Sequence, residues 1–375
     1  MAPVPEHDTS SVPNDSLAQS PVQSSSAHGI FIGRFGLRAG WGIAIFVSLF
    51  LIFSLILGAG VLAARGKLKE TVTKMQQAKT AQKAPSGAPA TKPKESPSDM
   101  TPKFMVLGEG VQFAALGLAA WVLSRIERRR LAVYGIDHSH LRDILPGAFW
   151  GLATLSFLVI LLRGFHLLVF DGRALAGAAI LVFGAKWLLG FLLVGLVEEY
   201  TIRGYVQYTF TRGVFGLAER LSSTRTRAIA FWIAAFFMSA VFGALHLSNP
   251  GENRIGIVMV FLAGIVFSYA LWRTGSLWWG IGFHMTWDWA QSFLYGVPDS
   301  GGLSSGRLFH THPVGNILLS GGSDGPEGSL LVIPILLLVL VVLRFTRAGE
   351  QPPLAPLDLP EELPRSSLGE AAPAL

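Results

Sequence analysis

The chain has 375 residues, of which 51% are hydrophobic and only 14% charged, and its mean hydropathy is +0.47. It is far more apolar than a soluble domain of ordinary composition, so we predict a polytopic membrane protein. The formal net charge of +6 comes from Arg and Lys beside apolar runs, which indicates contact with lipid head groups and not with nucleic acid. The absence of cysteine excludes disulfides, thiolate nucleophiles and cysteine-bound zinc.

Composition divides the chain into four segments. Residues 1–33 are rich in Ser and Pro and residues 349–375 in Pro and Glu, so both are predicted to be disordered tails. Residues 34–140 hold two apolar runs and a Lys/Pro-rich loop, and residues 141–348 hold the remaining runs. The first tail does not resemble a signal peptide, because the first apolar run begins only near Trp41 and is long enough to span a bilayer.

Apolar runs of spanning length predict an all-α membrane helical bundle of about eight transmembrane helices. The predicted spans cover residues 41–64, 104–123, 147–162, 187–210, 228–247, 255–272, 277–295 and 329–345. Residues 174–185 are apolar but short, and Lys186 interrupts them. They are either the start of the fourth span or an interfacial piece.

Positive charge in the connections predicts the orientation of the bundle. Clusters of Arg lie at 125–130, 212–227, 273 and 344–347, on the side that holds the amino terminus. The positive-inside rule therefore places both termini in the cytoplasm. The loop at 65–103 has nine Lys and Arg on the other side, and we discount it because long loops are less diagnostic. A composition rich in Ala, Gly, Leu and Arg, with no retention signal, favours a bacterial plasma membrane.

The strongest functional signal is ionisable residues inside apolar runs, because a charge in the bilayer is costly unless it is paired or faces a cavity. The fourth run contains Glu198, Glu199 and Arg203. On a helix Glu199 and Arg203 share a face and can pair, whereas Glu198 points about 100° away and needs another partner. The pair alone could be purely structural.

Histidines mark two further runs. His246 ends the fifth run, and His284 precedes Asp288 by one helical turn in the seventh, so this carboxylate can orient the imidazole. Taken singly, His246 could form an interfacial hydrogen bond and Asp288 could belong to an aromatic belt. His310 and His312 are assigned to an exposed Gly/Ser-rich loop and to no ligand role, because such a loop does not fix geometry.

Two imidazoles and two carboxylates from three helices have two chemical uses. Glu198, His246 and His284 could bind a divalent metal such as zinc and leave a position open for water. Alternatively, a glutamate could act as a general base without a metal. The sequence leaves both alternatives open.

The depth of His246 is a difficulty for this convergence. If the fifth helix starts at the cytoplasmic side, His246 lies near the far side of the bilayer, so a tilted or broken helix is needed. Close helix packing or bending is permitted by the glycines Gly243, Gly264, Gly280 and Gly282.

Three short motifs follow one another on these runs: Glu198-Glu199-x-x-x-Arg203, Phe242-x-x-x-His246 and His284-x-x-x-Asp288. In this order, and with Arg-Thr-Gly-Ser-Leu-Trp before the last motif, they resemble the CPBP family of CAAX proteases and bacteriocin-processing enzymes. That family includes the Ras-converting CAAX endopeptidase of eukaryotes. The resemblance covers residues 188–295 and leaves the amino-terminal third uncovered.

The resemblance implies an intramembrane endopeptidase and a role for each motif residue. Glu198 would be the general base that activates a water molecule, assisted by His246. Glu199 and Arg203 would hold the geometry of the site. The implied partners are the lipid bilayer and a membrane protein or peptide as substrate.

The same resemblance makes His284 and position 288 the groups that stabilise the oxyanion. The family often has Asn there, whereas this chain has Asp288, and an ionised aspartate cannot donate a hydrogen bond to an oxyanion. Asp288 is therefore protonated, orients His284 or helps to bind a metal. The family is commonly described as metalloproteases, a metal-free mechanism has been argued for its eukaryotic member, and the chain lacks His-Glu-x-x-His.

Two other classes of protein could use the same polar cluster. One is a non-catalytic membrane scaffold or immunity protein, and the other is a proton-coupled transporter. A transporter should show internal repeats with paired broken helices, and the sequence shows no such repeat.

Overall fold

The computed structural model describes residues 26–67, 69–71, 73, 99–249 and 254–346. Within these ranges the predicted all-α membrane bundle is confirmed. Six helical segments of the described chain are long and apolar enough to cross a bilayer: Ala39–Ala64, Pro102–Glu127, Leu131–Gly164, Ala178–Gly213, Thr226–Ser248 and Arg254–Thr274. The predicted seventh and eighth spans correspond to shorter helices, Trp278–Trp289 and Val332–Thr346.

The α-helices in chain order are α1 (Ser26–Phe31), α2 (Ala39–Ala64), α3 (Pro102–Glu127), α4 (Ile144–Gly164), α5 (Ala178–Glu199), α6 (Gln207–Gly213), α7 (Phe215–Leu221), α8 (Thr226–Leu245), α9 (Arg254–Thr274), α10 (Trp278–Trp289), α11 (Ile317–Ser320) and α12 (Val332–Thr346). Two π-helical segments continue α5 and α10: Tyr200–Val206 and Ala290–Leu294. The strands are β1 (Ile32–Gly33), β2 (Gly36–Leu37), β3 (Asp99–Met100), β4 (Leu168–Arg173), β5 (Leu303–Ser304) and β6 (Phe309–Pro313).

Some predicted boundaries differ from the observed ones at the ends of the bundle. The first tail is predicted to reach residue 33, and the structure describes α1 and β1 in its last part. Residues 1–25 and the whole second tail, 349–375, lie outside the described residues. Helix α5 begins at Ala178 and runs through Lys186 without a break, so the short apolar piece is the start of the fourth span.

The assignment of His310 and His312 to an irregular loop is wrong. Both lie in β6, which pairs antiparallel with β4. Both are exposed, and Nδ1 of His312 lies 2.8 Å from Oδ2 of Asp171. Backbone pairing between two connections explains the difference, because it depends on a partner strand about 140 residues away that local composition does not reveal.

Glycines bring α4 and α10 into backbone contact. A Cβ added to Gly147 would lie 2.0 Å from the carbonyl oxygen of Trp279, and one on Gly282 would lie 2.2 Å from that of Ile144. Small residues of this kind let membrane helices approach closely. This contact places α10, which carries His284, at a fixed height against α4.

A second buried polar cluster lies at the opposite end of the bundle from His246. The carboxylate of Glu127 accepts hydrogen bonds from the hydroxyls of Tyr205 at 3.0 Å and Tyr134 at 3.1 Å. Arg129 and Arg212 form ion pairs with the same carboxylate at 3.5 and 3.4 Å. Both arginines belong to the clusters from which the orientation in the membrane is predicted. Both are buried, so their charge serves an internal ion pair and is weak evidence for orientation.

Candidate active site

The two adjacent glutamates at the end of α5 occupy different environments. The Glu199 side chain is 2% exposed, whereas the Glu198 side chain is 34% exposed. Nη1 of Arg203 donates a hydrogen bond to Oε1 of Glu199 at 3.1 Å. The helix widens to π geometry directly after Glu199, and such segments occur often at functional sites. Glu199 is thus neutralised inside the protein, and Glu198 is the accessible carboxylate.

Arg203 is held by aromatic rings on two of its sides. Its Cζ lies 4.1 Å from the ring centroid of Phe242 and 5.1 Å from that of Phe267. Within the described part of the chain, its Nε and Nη2 have no hydrogen-bond partner. Cation–π contacts therefore offset part of the desolvation of this guanidinium.

His284 connects the carboxylates of the site. Its Nδ1 lies 3.1 Å from Oε1 of Glu199, the same oxygen that accepts from Arg203. Its Nε2 lies 3.4 Å from Oδ2 of Asp288 and 3.8 Å from Oε2 of Glu198. One imidazole thereby bridges the buried ion pair and the accessible carboxylate.

His246 reaches the same cavity in spite of its position at the end of α8. Helix α8 ends at Leu245, and a 3-10 turn over His246–Ser248 follows. Nδ1 of His246 donates a hydrogen bond to the carbonyl oxygen of Phe242 at 2.8 Å, which leaves Nε2 available as an acceptor. One cavity extends from Glu198 to His246 and to Asn249 beyond the end of α8, so no break inside α8 is needed.

The cavity has a volume of about 370 Å³ and lies between apolar helices. Its walls are mostly apolar, with Phe191, Met259 and Phe283 among the lining residues. The acidic and imidazole side chains that line it are Glu109, Glu198, His246, His284, Asp288, Asp299 and Glu327. An apolar cavity with a few convergent polar groups is typical of a binding or catalytic site.

The prediction missed Glu109 and Asp299. Glu109 lies in α3 inside the predicted second span, and the rule for intramembrane charges would have found it. Asp299 lies in the connection after α10, and its Oδ2 accepts a hydrogen bond from Oγ of Ser292 at 2.8 Å. Burial raises the pKa of Asp299 to about 6. No sequence signal distinguishes it from an ordinary loop aspartate.

The predicted metal ligands do not form a ready metal centre. Within the described residues, no group of three or more His, Asp or Glu side chains is arranged so that it could hold a metal ion. Glu198, His246 and His284 nevertheless line one cavity. The metal set stays a prediction.

Residues 180–290 match the family model described as type II CAAX prenyl endopeptidase Rce1-like. The matched segment contains all six predicted site residues, and it confirms the resemblance drawn from the order of the motifs. Glu109 and Asp299 lie outside it. No curated protein and no solved structure gives a significant match to the chain.

Proposed function

We propose, from the match of residues 180–290 to a CAAX endopeptidase family model, that the chain is an intramembrane endopeptidase in which Glu198 activates the attacking water molecule. One observation carries the proposal: the accessible carboxylate of Glu198 shares a cavity with His246 and His284, while Glu199 beside it is buried and paired. Two adjacent glutamates in different environments suit two different roles.

In the proposed reaction the carboxylate of Glu198 removes a proton from water, and Nε2 of His246 accepts a hydrogen bond from that water. The water oxygen attacks the carbonyl carbon of the scissile peptide bond and gives a tetrahedral intermediate. The proton on Glu198 passes to the leaving nitrogen as the C–N bond breaks. The products are a carboxylic acid and an amine, so atoms and charges balance.

His284 is the proposed donor to the oxyanion of the intermediate. Its Nε2 faces the cavity side, where Oδ2 of Asp288 lies 3.4 Å away. That separation is longer than a normal hydrogen bond, so the proposed role of Asp288 is to orient His284 through its charge. Glu199 and Arg203 act through His284 as positioning residues.

The remaining surface charge supports the proposed orientation of the protein. Arg220, Arg225 and Arg227 lie on the side proposed to be cytoplasmic, in a bacterial plasma membrane, with both termini on that side. Asn249 and Ser300 line the cavity and belong to connections on the opposite side. Substrate therefore enters from the non-cytoplasmic half of the bilayer.

The experiment is cleavage of a quenched-fluorescent peptide library by purified protein in lipid, with the products identified by mass spectrometry. Glu198→Gln should abolish cleavage, and Glu109→Gln is the matched control because it neutralises another carboxylate of the same cavity. Equal loss in both variants would contradict the assignment of the base. A scaffold would work in either variant, and a transporter would move protons without forming products.

The same assay tests whether cleavage requires a metal ion. Activity lost with a chelator and restored by zinc would establish a metalloprotease, whereas activity unchanged by the chelator would support Glu198 acting alone.

A further inference from the structure

The ring of Phe267 contacts both the guanidinium of Arg203 and the imidazole of His284. Phe267 belongs to α9 and is 7% exposed. Its ring centroid lies 5.1 Å from Cζ of Arg203 and 5.2 Å from the ring centroid of His284. The planes of Phe267 and His284 differ by 27°, so the two rings are stacked.

We infer that Phe267 is a positioning residue of the site, whose ring face fixes the imidazole of His284 against the Glu199–Arg203 ion pair. This inference rests on the proposed hydrolytic function. Phe267 lies outside the three sequence motifs, and at the sequence level it is one more apolar residue in a predicted span.

Polar contacts alone leave the imidazole of His284 incompletely fixed. The partners of His284 lie at its two nitrogens, at 3.1 Å for Glu199 and 3.4 Å for Asp288. These contacts act near the plane of the ring and do not define what covers its face. The ring of Phe267 covers that face, and aromatic pairs of this kind prefer defined offset geometries.

Arg203 needs the same ring for a different reason. Two of its nitrogens have no hydrogen-bond partner in the described part of the chain, so Phe242 and Phe267 supply the contacts that a desolvated guanidinium requires. Gly280 borders both groups, because an added Cβ there would make ordinary contacts with Cδ1 of Phe267 at 3.6 Å and with Oε2 of Glu199 at 3.7 Å. Phe267 thereby links both halves of the site.

The test compares Phe267→Leu, which stays apolar but lacks a ring face, with Phe267→Tyr, which keeps it. The matched control is Phe261→Leu on the same helix, where the ring packs against Phe236 with centroids 5.5 Å apart. We expect kcat to fall about tenfold or more in Phe267→Leu with KM little changed, because misplacement of a catalytic group slows the chemical step. Both Phe267→Tyr and Phe261→Leu should keep the wild-type kcat. Equal losses in the Leu and Tyr variants, or a raised KM with normal kcat, would overturn the inference.

A second measurement does not depend on activity. In protein labelled with 13C-histidine, the Cε1–H signal of His284, assigned by its loss in His284→Asn, carries a ring-current shift from Phe267. Phe267→Leu should move that signal and Phe261→Leu should not. If no peptide is cleaved by any sample, the hydrolytic proposal fails while this signal still decides the positioning. If Glu198→Gln abolishes cleavage but Phe267→Leu changes neither kcat nor the signal, only the inference about Phe267 is wrong.

Discussion

Replacement of Arg203 by Met should destabilise the protein strongly. The Glu199–Arg203 pair is 3.1 Å long, with side chains 2% and 1% exposed, so the variant leaves a carboxylate buried without its cation. Breaking a buried pair in this way costs about 3–5 kcal/mol. His284 still contacts Glu199, so we expect the lower end, about 3 kcal/mol, or roughly 4–5 °C in the unfolding temperature of a chain of this length.

The assay is thermal unfolding in lipid nanodiscs, with Arg34→Met as the matched control. Arg34 pairs with Glu219 at 2.7 Å, but the two side chains are 64% and 40% exposed, so its loss should cost at most about 1 kcal/mol. The double variant Glu199→Gln/Arg203→Met should recover part of the lost stability because no charge is left unpaired. An Arg203→Met protein as stable as Arg34→Met, or a double variant no more stable than Arg203→Met, would refute this reasoning.

Three further predictions concern packing, protonation and orientation. Gly282→Ala should lower stability and activity, because the added Cβ would lie 2.2 Å from the carbonyl oxygen of Ile144. Gly280→Ala is the control and should be tolerated, because the nearest atom to its added Cβ lies 3.6 Å away. Equal unfolding temperatures of the two variants would contradict this prediction. The pKa of Asp299 is raised to about 6, so folding favours its protonated form and wild-type stability falls as pH rises from about 4 to 6. Asp299→Asn should therefore unfold at a higher temperature than wild type at pH 7.5, by a difference that vanishes near pH 4, and a constant difference would contradict the assignment. The chain lacks cysteine, so Ser300→Cys gives a single thiol that an impermeant maleimide should label from outside intact cells, and labelling only in inverted vesicles would reverse the orientation.

Local sequence properties predicted the helices well. Long apolar runs gave six spans that the structure describes, because a helix in the bilayer satisfies its own backbone and needs no distant partner. The site was also predictable in outline, since a charge such as Glu199 in an apolar run demands a partner within the protein. The motif order then predicted which helices supply the partners.

Features that depend on distant contacts were not predictable. The β4–β6 pairing, the cavity wall at Asp299 and the burial of Arg129 and Arg212 beside Glu127 join residues from remote parts of the chain. A run of arginines looks the same in sequence whether it faces lipid head groups or a buried carboxylate. The π-helical segment Tyr200–Val206 was not predictable either, because a helical sequence pattern does not distinguish π geometry from a continued α-helix.

The most direct test of the account is the single-turnover cleavage rate of one confirmed peptide by wild-type protein and by Glu198→Gln in the same lipid. Glutamine keeps the size of the side chain but cannot accept a proton from water. We expect a rate about 100- to 10,000-fold lower in Glu198→Gln, the range typical of the loss of a general base, with an unchanged unfolding temperature. A Glu198→Gln protein that cleaves at nearly the wild-type rate would contradict the central claim.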